Sequence, residues 1–408
     1  MIRSGLLGET LGHSYSPVIH ARLGDYPYAL FERKAEELPA FFEEAAFDGI
    51  NVTIPYKKAV VPFMDELSET AAALGSVNTV VKRPDGTFFG DNTDVYGFTE
   101  TVRLSGLDLS GKKVLVLGSG GASAAVVFAL KALGARPVVI SRRGENNYEN
   151  LDLHRDARGI VNATPVGMYP RNGEAPLSLK GFPSLEGVFD LIYNPARTLL
   201  LEEAGSLGIP AFNGLYMLVS QAAKSSERFT GVPVPEEKVR AIVRDLAAET
   251  ENVILIGMPG AGKTAVAKAL SDLTGRPVFD SDAEVQRTTG RTPAAIIETD
   301  GEAAFRRIEA EALKELSKKS GVILSTGGGA VTVPSNEAVL RGNGRTVWIR
   351  RALADLPREG RPLSSGDLEE MYRVREPMYR RFSDLIVEND GTVEEAAEKI
   401  LKKYRELF

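Results

Sequence analysis

Val253-Ile254-Leu255-Ile256-Gly257-Met258-Pro259-Gly260-Ala261-Gly262-Lys263-Thr264 is a four-residue apolar strand running into G-x-x-x-x-G-K-T. The residues Ala265 to Leu273 that follow have helical character. A strand, a glycine-rich loop and a helix in that order form a phosphate cradle: glycines let backbone N–H groups turn inward, and the helix N-terminus adds positive potential. In such a loop Lys263 reaches the β- and γ-phosphates and the Thr264 hydroxyl binds Mg²⁺. A glycine-rich turn without a ligand is the competing reading, and the flanking strand and helix weigh against it. The loop opens a domain near residue 250, so the 408 residues need a second explanation for everything before it.

That length suffices for two or three domains with real cores. Hydrophobic residues at 43% and charged residues at 25% are ordinary for a soluble globular protein. A net charge of −6 argues against a nucleic-acid or anionic-membrane partner. The absence of cysteine excludes disulfides, thiolate metal sites and cysteine nucleophiles. His13, His20 and His154 are the only histidines, too few and too scattered for a histidine metal cluster or a triad. Residues 1–25 lack a basic start followed by an apolar run, and no stretch approaches the roughly 20 apolar residues of a membrane span. The expectation is a cytoplasmic protein without a membrane partner, its oligomeric state left open.

The first hundred residues alternate strands and helices. Ile2–Gly8, Tyr28–Lys34 and Ile50–Ile54 read as strands, Glu36–Ala46 as an amphipathic helix and Val60–Leu74 as a second helix. Val77–Val81 and Thr87–Phe89 flank the turn Pro84-Asp85-Gly86. Three polar clusters sit at element ends: Ser14-Tyr15-Ser16-Pro17; Asn51-Val52-Thr53-Ile54-Pro55-Tyr56-Lys57; and Asn78-Thr79 with Asp91-Asn92-Thr93-Asp94. Singly, each is a helix cap, a loop or the wet face of a strand. Together they offer hydroxyls, amides, a lysine and a carboxylate, a set suited to a small polyhydroxylated acid.

Lys113–Leu117, Gly118-Ser119-Gly120-Gly121-Ala122, a helix over Ser123–Leu133 and the strand Pro137–Ile140 make a βαβ unit with a diphosphate turn. NAD-specific sites place an acidic residue after the second strand. Here Ser141-Arg142-Arg143 stands there. A guanidinium matches a 2′-phosphate in charge and bidentate geometry, which favours NADP; a solvated basic turn is the alternative.

Residues 1 to about 247 resemble the shikimate dehydrogenase family. The likeness rests on Gly12-His13-Ser14-Tyr15-Ser16-Pro17, Gly49 through Lys57, Gly75-Ser76-Val77-Asn78-Thr79, Gly90-Asp91-Asn92-Thr93-Asp94, Gly118 through Ala122, Asn162-Ala163-Thr164-Pro165-Val166-Gly167-Met168, Tyr193-Asn194-Pro195 and Met217 through Ala222, in that order. The resemblance implies reduction of 3-dehydroshikimate by NADPH. It implies that Ser14 and Ser16 hold the substrate carboxylate, that Thr53, Asn78, Asp94 and Gln221 bind ring hydroxyls with Tyr193 nearby, and that Lys57 and Asp94 are the catalytic pair. For the cofactor it implies Gly118, Ser119, Gly120, Gly121, Ala122, Ser141, Arg142, Thr164 and Gly214. Hydride arriving at a ketone leaves an alkoxide that must take a proton, and a lysine ammonium beside a carboxylate can give one. Three departures stand out. Only Gly144–Ile160 separates Arg143 from the Asn162 motif, predicting a shortened cofactor lobe. Val95 and Tyr216 replace usual glycines, and a bulky Tyr216 beside Gly214 would narrow the nicotinamide pocket.

A helix over Pro235–Ala248 with no flexible spacer leads into the second half. Pro277–Asp282 reads as a strand ending in Asp280 and Asp282; one carboxylate would support Mg²⁺ through water and the other accept a hydroxyl proton. Glu302–Leu316 reads as a helix, Val322–Ser325 as a strand entering Gly327-Gly328-Gly329, and Val347–Ile349 as a further strand. This half resembles the shikimate kinase family through Asp280-Ser281-Asp282, Phe305-Arg306-Arg307-Ile308-Glu309, the triple glycine, Arg361-Pro362-Leu363 and Arg375-Glu376-Pro377-Met378-Tyr379, beyond the widely shared loop Gly260-Ala261-Gly262-Lys263-Thr264-Ala265, which is expected to bind ATP. The likeness implies shikimate on Asp282, Arg306, Gly328 and Arg375, with Arg361 on a short lid (Ala352–Ser365) touching ATP. It assigns Lys263, Asp282 and Arg361 to catalysis, and Mg²⁺ to Thr264 with Asp280 through water.

The expected architecture is α/β throughout: a substrate lobe at 1–105, a Rossmann-like NADP lobe at 106–220, returning and connecting helices at 221–249, and a P-loop parallel-sheet kinase domain at 250–408. The expected function is two consecutive steps of aromatic amino acid biosynthesis, 3-dehydroshikimate to shikimate and shikimate to its 3-phosphate, using NADP(H), ATP and Mg²⁺. Two alternatives stay open: quinate as the substrate of the first half, and a first half that is a non-catalytic shikimate-binding module.

Overall fold

A computed structural model describes residues 3–12, 14–169, 172–356 and 368–408. Arg361 and most of the expected lid lie outside the described residues. The chain divides by its contacts into two compact units. One comprises Met1–Val166, Ala175–Tyr193 and Glu203–Val243; the other comprises Gly167–Glu174, Asn194–Glu202 and Arg244–Phe408. The division falls within one continuous helix, Glu236–Thr250. Among the described residues no helix is long and apolar enough to cross a membrane.

The first unit contains two sheets. Its six-stranded sheet runs Tyr28–Glu32, Ser4–Gly8, Gly49–Val52, Thr79–Lys82, Phe88–Asp91, Glu66–Leu67. The first three strands are parallel, Gly49–Val52 pairs antiparallel with Thr79–Lys82, the Asp85 turn sets Thr79–Lys82 antiparallel to Phe88–Asp91, and Glu66–Leu67 joins Phe88–Asp91 in parallel. In that turn Asp85 Oδ1 accepts from the Thr87 backbone N–H at 3.0 Å, a local side-chain bond that mimics a backbone turn. Phe41, Phe42, Phe47, Ile50 and Val80 form the core beside this sheet.

The single helix expected over Val60–Leu74 is not formed. A 3₁₀ turn at Val61–Phe63 gives way to the edge strand Glu66–Leu67 and the helix Glu69–Leu74. The backbone leaves the helical path because the strand edge offers better partners: Asp65 N–H donates to Phe88 O at 3.0 Å, and the Asp65 carboxylate accepts from Phe88 N–H at 2.8 Å. Ser68 then caps the new helix through Ala71 N–H.

The five-stranded sheet of the first unit is wholly parallel, in the order Ala211–Phe212, Gly187–Asp190, Gly159–Asn162, Lys113–Leu117, Arg136–Ile140. Val114, Leu115, Val116 and Leu117 are all fully buried, which is why this strand is a continuous apolar run without alternation. The stretch from Arg143 to Gly159 contains turns and a single 3₁₀ turn at Leu151–His154 before the chain re-enters the sheet. The strand order reverses beside Lys113–Leu117, and in open parallel sheets ligands bind at such a switch point, beyond the strands' carboxyl ends.

The second unit has its own parallel sheet, Val278–Asp280, Ile323–Ser325, Asn252–Ile256, Gly344–Arg350, Leu385–Glu388. Asn252–Ile256 is the central strand and is buried along its whole length, so the glycine loop leaves the sheet at its middle. Leu255, Leu270, Trp348, Tyr379 and Ile400 are among the residues packed around it. Truncating a fully buried Leu such as Leu255 to Ala would cost about 2–5 kcal/mol.

Candidate functional sites

In the first unit a cavity of about 440 Å³ opens where the two sheets' loops meet. The strand Gly49–Val52 delivers Thr53 and Lys57 just beyond its end, and the helix Asp94–Ser105 starts with Asp94. Lys57 Nζ donates to Asp94 Oδ2 at 2.6 Å, a charge-assisted bond on the cavity wall. Asn78 Nδ2 donates to the other oxygen, Asp94 Oδ1, at 2.9 Å. Ser14, Ser16, Thr53, Asn78, Tyr193, Gln221 and Gly214 line the same cavity. Ser14 Oγ accepts the Ser16 backbone N–H, the local bond of a helix entrance. The Tyr193 ring packs 5.3 Å from that of Tyr15, and burial, with Tyr15 beside it, raises its pKa. Asn51, Thr10, Leu11, Met217 and Leu218 also form the wall. Of these, Asn51, Met217 and Leu218 stand in motifs that carry the family likeness, and the likeness implies no role for them.

The cofactor turn sits at the neighbouring helix start. Gly120 is the extended N-cap of the helix Gly121–Ala132, which has no side-chain cap, so its first N–H groups face outward. Ala122 reaches the cavity beside Lys57. Thr164, held by Asn162 Oδ1 at 2.7 Å, lies against Gly118. Ser119, Ser141, Arg142 and Arg143 line a separate cavity of about 450 Å³. Two guanidinium groups around a hydroxyl-rimmed space fit a 2′-phosphate.

The expectation that Tyr216 narrows the nicotinamide pocket is not met. Tyr216 is buried on the other face of its helix, near Glu236 and Arg240, while Gly214, Met217 and Leu218 form the pocket wall. Adjacent positions on a helix project about 100° apart, so Tyr216 and Met217 diverge. Val95 packs into the core beside the parallel sheet.

In the second unit a cavity of about 460 Å³ gathers Gly260, Gly262, Lys263, Thr264, Ala265, Asp280, Asp282, Arg306, Gly328 and Arg375. Lys263 Nζ donates to the loop carbonyls of Gly257 and Met258 at 2.8 and 3.0 Å. Ala261 turns inward: its side chain is buried and its N–H donates to Met258 O. Asn389, which carries no motif signal, closes the loop by donating from Nδ2 to Ala261 O at 2.8 Å.

Asp280 ends its strand as the N-cap of the helix Ser281–Thr289. Its Oδ1 accepts Asp282 N–H at 2.9 Å, and its Oδ2 lies 3.3 Å from Thr264 Oγ1, which is also 3.3 Å from Ser325 Oγ. These are hard oxygen donors, the type Mg²⁺ takes, and too few for an all-protein cage; that suits an ion completed by phosphate and water. Among the described residues no group of three acidic or histidine side chains converges to hold a metal alone.

Asp282 Oδ1 is buried with no hydrogen-bond partner, and its pKa is raised by burial and by Asp280. Arg306 is held from one side by Glu309 at 2.7 Å and from the other by Glu302 at 3.0 Å. Glu309 is fully buried, its pKa raised by burial against the pull of Arg306, and its Oε1 has no partner. A Cβ on Gly329 would overlap the Arg306 guanidinium where Glu309 and Glu302 hold it, so a side chain there would displace Arg306. Arg375 Nη1 donates to Gly328 O at 3.3 Å.

Comparison with known proteins finds relatives for both halves of the chain. Residues 6–80 match the family model of the shikimate dehydrogenase substrate binding domain, and residues 214–244 that of the shikimate 5'-dehydrogenase C-terminal domain. The NADP(+)-type shikimate dehydrogenase of Syntrophomonas wolfei is 37% identical over 273 residues, covering 59% of this chain and 93% of that protein. The chain belongs to the shikimate dehydrogenase family. Residues 259–405, behind that family's span, match the family model of shikimate kinase. Among solved structures, a chorismate mutase/shikimate 5-dehydrogenase fusion from Clostridium acetobutylicum superposes with a TM-score of 0.57 at 37% identity, covering 60% of this chain and 96% of that one. The shikimate 5-dehydrogenase of Thermus thermophilus, solved with NADP(H) and shikimate, gives 0.56 at 34%, covering 60% and 99%. This dehydrogenase-family chain thus carries a second, kinase-family unit.

Proposed function

We propose that the chain reduces 3-dehydroshikimate to shikimate and then phosphorylates shikimate on its 3-hydroxyl. The observation that carries this reading is that each unit has a cavity walled by the side chains expected for the same small acid. In the first, Ser14 and Ser16 face the carboxylate, and Thr53, Asn78 and Gln221 face ring hydroxyls. NADPH supplies a hydride when bound, with Arg142 on its 2′-phosphate. The Lys57 ammonium gives the proton that the resulting alkoxide needs, and Asp94 keeps that ammonium oriented at 2.6 Å.

In the second cavity Arg306 and Arg375 face the carboxylate, and Asp282 orients the attacking hydroxyl. Phosphoryl transfer depends on positioning and charge neutralisation. Lys263 leaves the loop carbonyls for the phosphates of ATP. Thr264, with Asp280 through water, would hold the Mg²⁺ that neutralises phosphate charge. The raised pKa of Asp282 suits a group that must accept a proton.

The test is the purified chain offered shikimate with NADP⁺, NAD⁺ and ATP–Mg²⁺ separately, and quinate in parallel. Oxidation with NADP⁺ and phosphorylation with ATP are expected, with quinate slower in the first assay. Quinate oxidised faster than shikimate, or shikimate inert under every nucleotide, would overturn the reading.

A further inference from the structure

Below the first cavity lies a knot of hydroxyls that the reductase reading leaves unassigned. Thr79 and Ser225 are fully buried, and Thr93 and Asn78 nearly so. Ser225 sits one turn after Gln221 on the helix Leu215–Thr230 and donates its proton back to Gln221 O at 3.0 Å. Its oxygen is therefore an acceptor. It takes Asn51 Nδ2–H at 2.8 Å and has two threonine hydroxyls in reach, Thr79 Oγ1 at 2.7 Å and Thr93 Oγ1 at 3.1 Å.

Asn78 Oδ1 is the second acceptor. It takes the Thr93 backbone N–H at 2.8 Å and lies 3.0 and 3.1 Å from the same two hydroxyls. Two threonine protons thus face two strong acceptors, and the count closes in either pairing. A longer contact, 3.4 Å, runs from Thr93 Oγ1 to Gln221 Oε1. With Oδ1 filled from below, Asn78 must turn its Nδ2 upward to Asp94 Oδ1. The reversed amide would set N–H against the Thr93 N–H.

The same knot joins the two helices that carry pocket residues. Glycine at 97 lets the helix Asp94–Ser105 approach the Gln221 helix directly: a Cβ there would lie 2.6 Å from Met217 O. Ser225 continues that contact into the strand Thr79–Lys82 through Thr79.

We propose that Thr79 and Ser225 are positioning residues of the reductase, fixing the amide of Asn78 and the seat of Gln221 relative to the Lys57–Asp94 pair. The inference rests on the proposed reductase reading. Substitution at Thr79 separates chemistry from shape, since Thr79→Val keeps the side-chain outline without the hydroxyl and Thr79→Ser keeps the hydroxyl. With the full chain oxidising shikimate, Thr79→Val is expected to raise KM for shikimate about tenfold, the effect of one lost buried hydrogen bond. KM for NADP⁺ and kinase turnover stay unchanged, and Thr79→Ser stays within about twofold of the parent. Ser225→Ala follows Thr79→Val, and the double variant loses less than the sum, because both break one link.

An unchanged KM for shikimate in Thr79→Val would overturn the proposal. So would equal losses in the Val and Ser variants tracking a lowered melting temperature, which would mark packing alone. If Thr79→Val does not fold, Ser225→Ala decides by the same split. A parent chain that oxidises no shikimate refutes the reductase reading and this inference with it; an active parent with indifferent variants refutes the inference only.

Discussion

Around Lys57 the polar side chains satisfy one another, in a chain of bonds from Lys57 through Asp94 and Asn78 to Thr93 and Ser225. Around Lys263 they do not: Asp282 Oδ1 and Glu309 Oε1 are buried without partners, and Lys263 rests on backbone carbonyls. The difference follows from the charge each reaction handles. A hydride transfer develops one oxyanion, so one oriented proton donor can be built in advance. A phosphoryl transfer must receive several ligand charges, so Lys263 rests on carbonyls that it can leave, and one oxygen each of Asp282 and Glu309 is left open toward a ligand while Glu309 Oε2 holds Arg306.

The largest test of this contrast is to delete each lysine. Lys57→Ala should lower shikimate oxidation by about 10³-fold with phosphorylation intact, and Lys263→Ala should do the converse, both read in parallel steady-state assays. If either substitution silences both reactions, the two sites are not independent as drawn.

Asp282→Asn sharpens the contrast by probing the uncompensated carboxylate. Kinase turnover should fall about 10²-fold. Because burial and Asp280 raise the folded-state pKa of Asp282, its favourable contribution is complete below the ordinary carboxylate pKa and is lost as pH rises through the folded value. At neutral pH the ligand-free variant should therefore melt a few degrees higher than the parent, by about 2–4 °C per kcal/mol. A lower melting temperature would mean that Asp282 is satisfied after all.

Arg142→Ala probes the basic rim of the cofactor turn. NADPH binding should weaken about 30-fold and NADH binding about twofold at most, as expected for one lost charge-assisted pair. Equal weakening would remove the 2′-phosphate role.

The last test concerns stability of the first unit and changes no turnover. His20 is buried, stacked 3.9 Å from Tyr28 and bonded through Nδ1 to Tyr26 Oη. Burial lowers its pKa from 6.5 to about 3. Between those values the unfolded chain binds a proton that the folded chain refuses, so stability rises with pH and falls on acidification. The slope should be about 1.4 kcal/mol per pH unit below pH 6.5. In urea titrations of the parent and His20→Phe, the variant should lose that acid slope; an identical slope would assign it elsewhere.

That the expected residues of each candidate site line one cavity was legible because glycine, lysine and arginine stand at fixed spacing from strand ends. The glycine loop at Gly257–Thr264 and the turn at Gly118–Ala122 fall where the flanking apolar runs place them. What escaped has a common cause: it depends on partners distant in sequence. The Val60–Leu74 stretch is broken by bonds to Phe88 and Gly90 in another strand. Asn389 reaches the glycine loop across 128 positions. Tyr216 looked obstructive because its position beside Gly214 was legible and its direction was not. Arg361 lies outside the described residues.

The most direct measurement is a stoichiometry. The purified chain is given isotopically labelled 3-dehydroshikimate with NADPH, ATP and Mg²⁺, and each product is counted. The account predicts label in shikimate 3-phosphate, with one NADPH and one ATP consumed for each molecule formed. Label remaining in the starting acid, or halting at shikimate while ATP stays intact, would contradict the claim that both cavities serve one substrate.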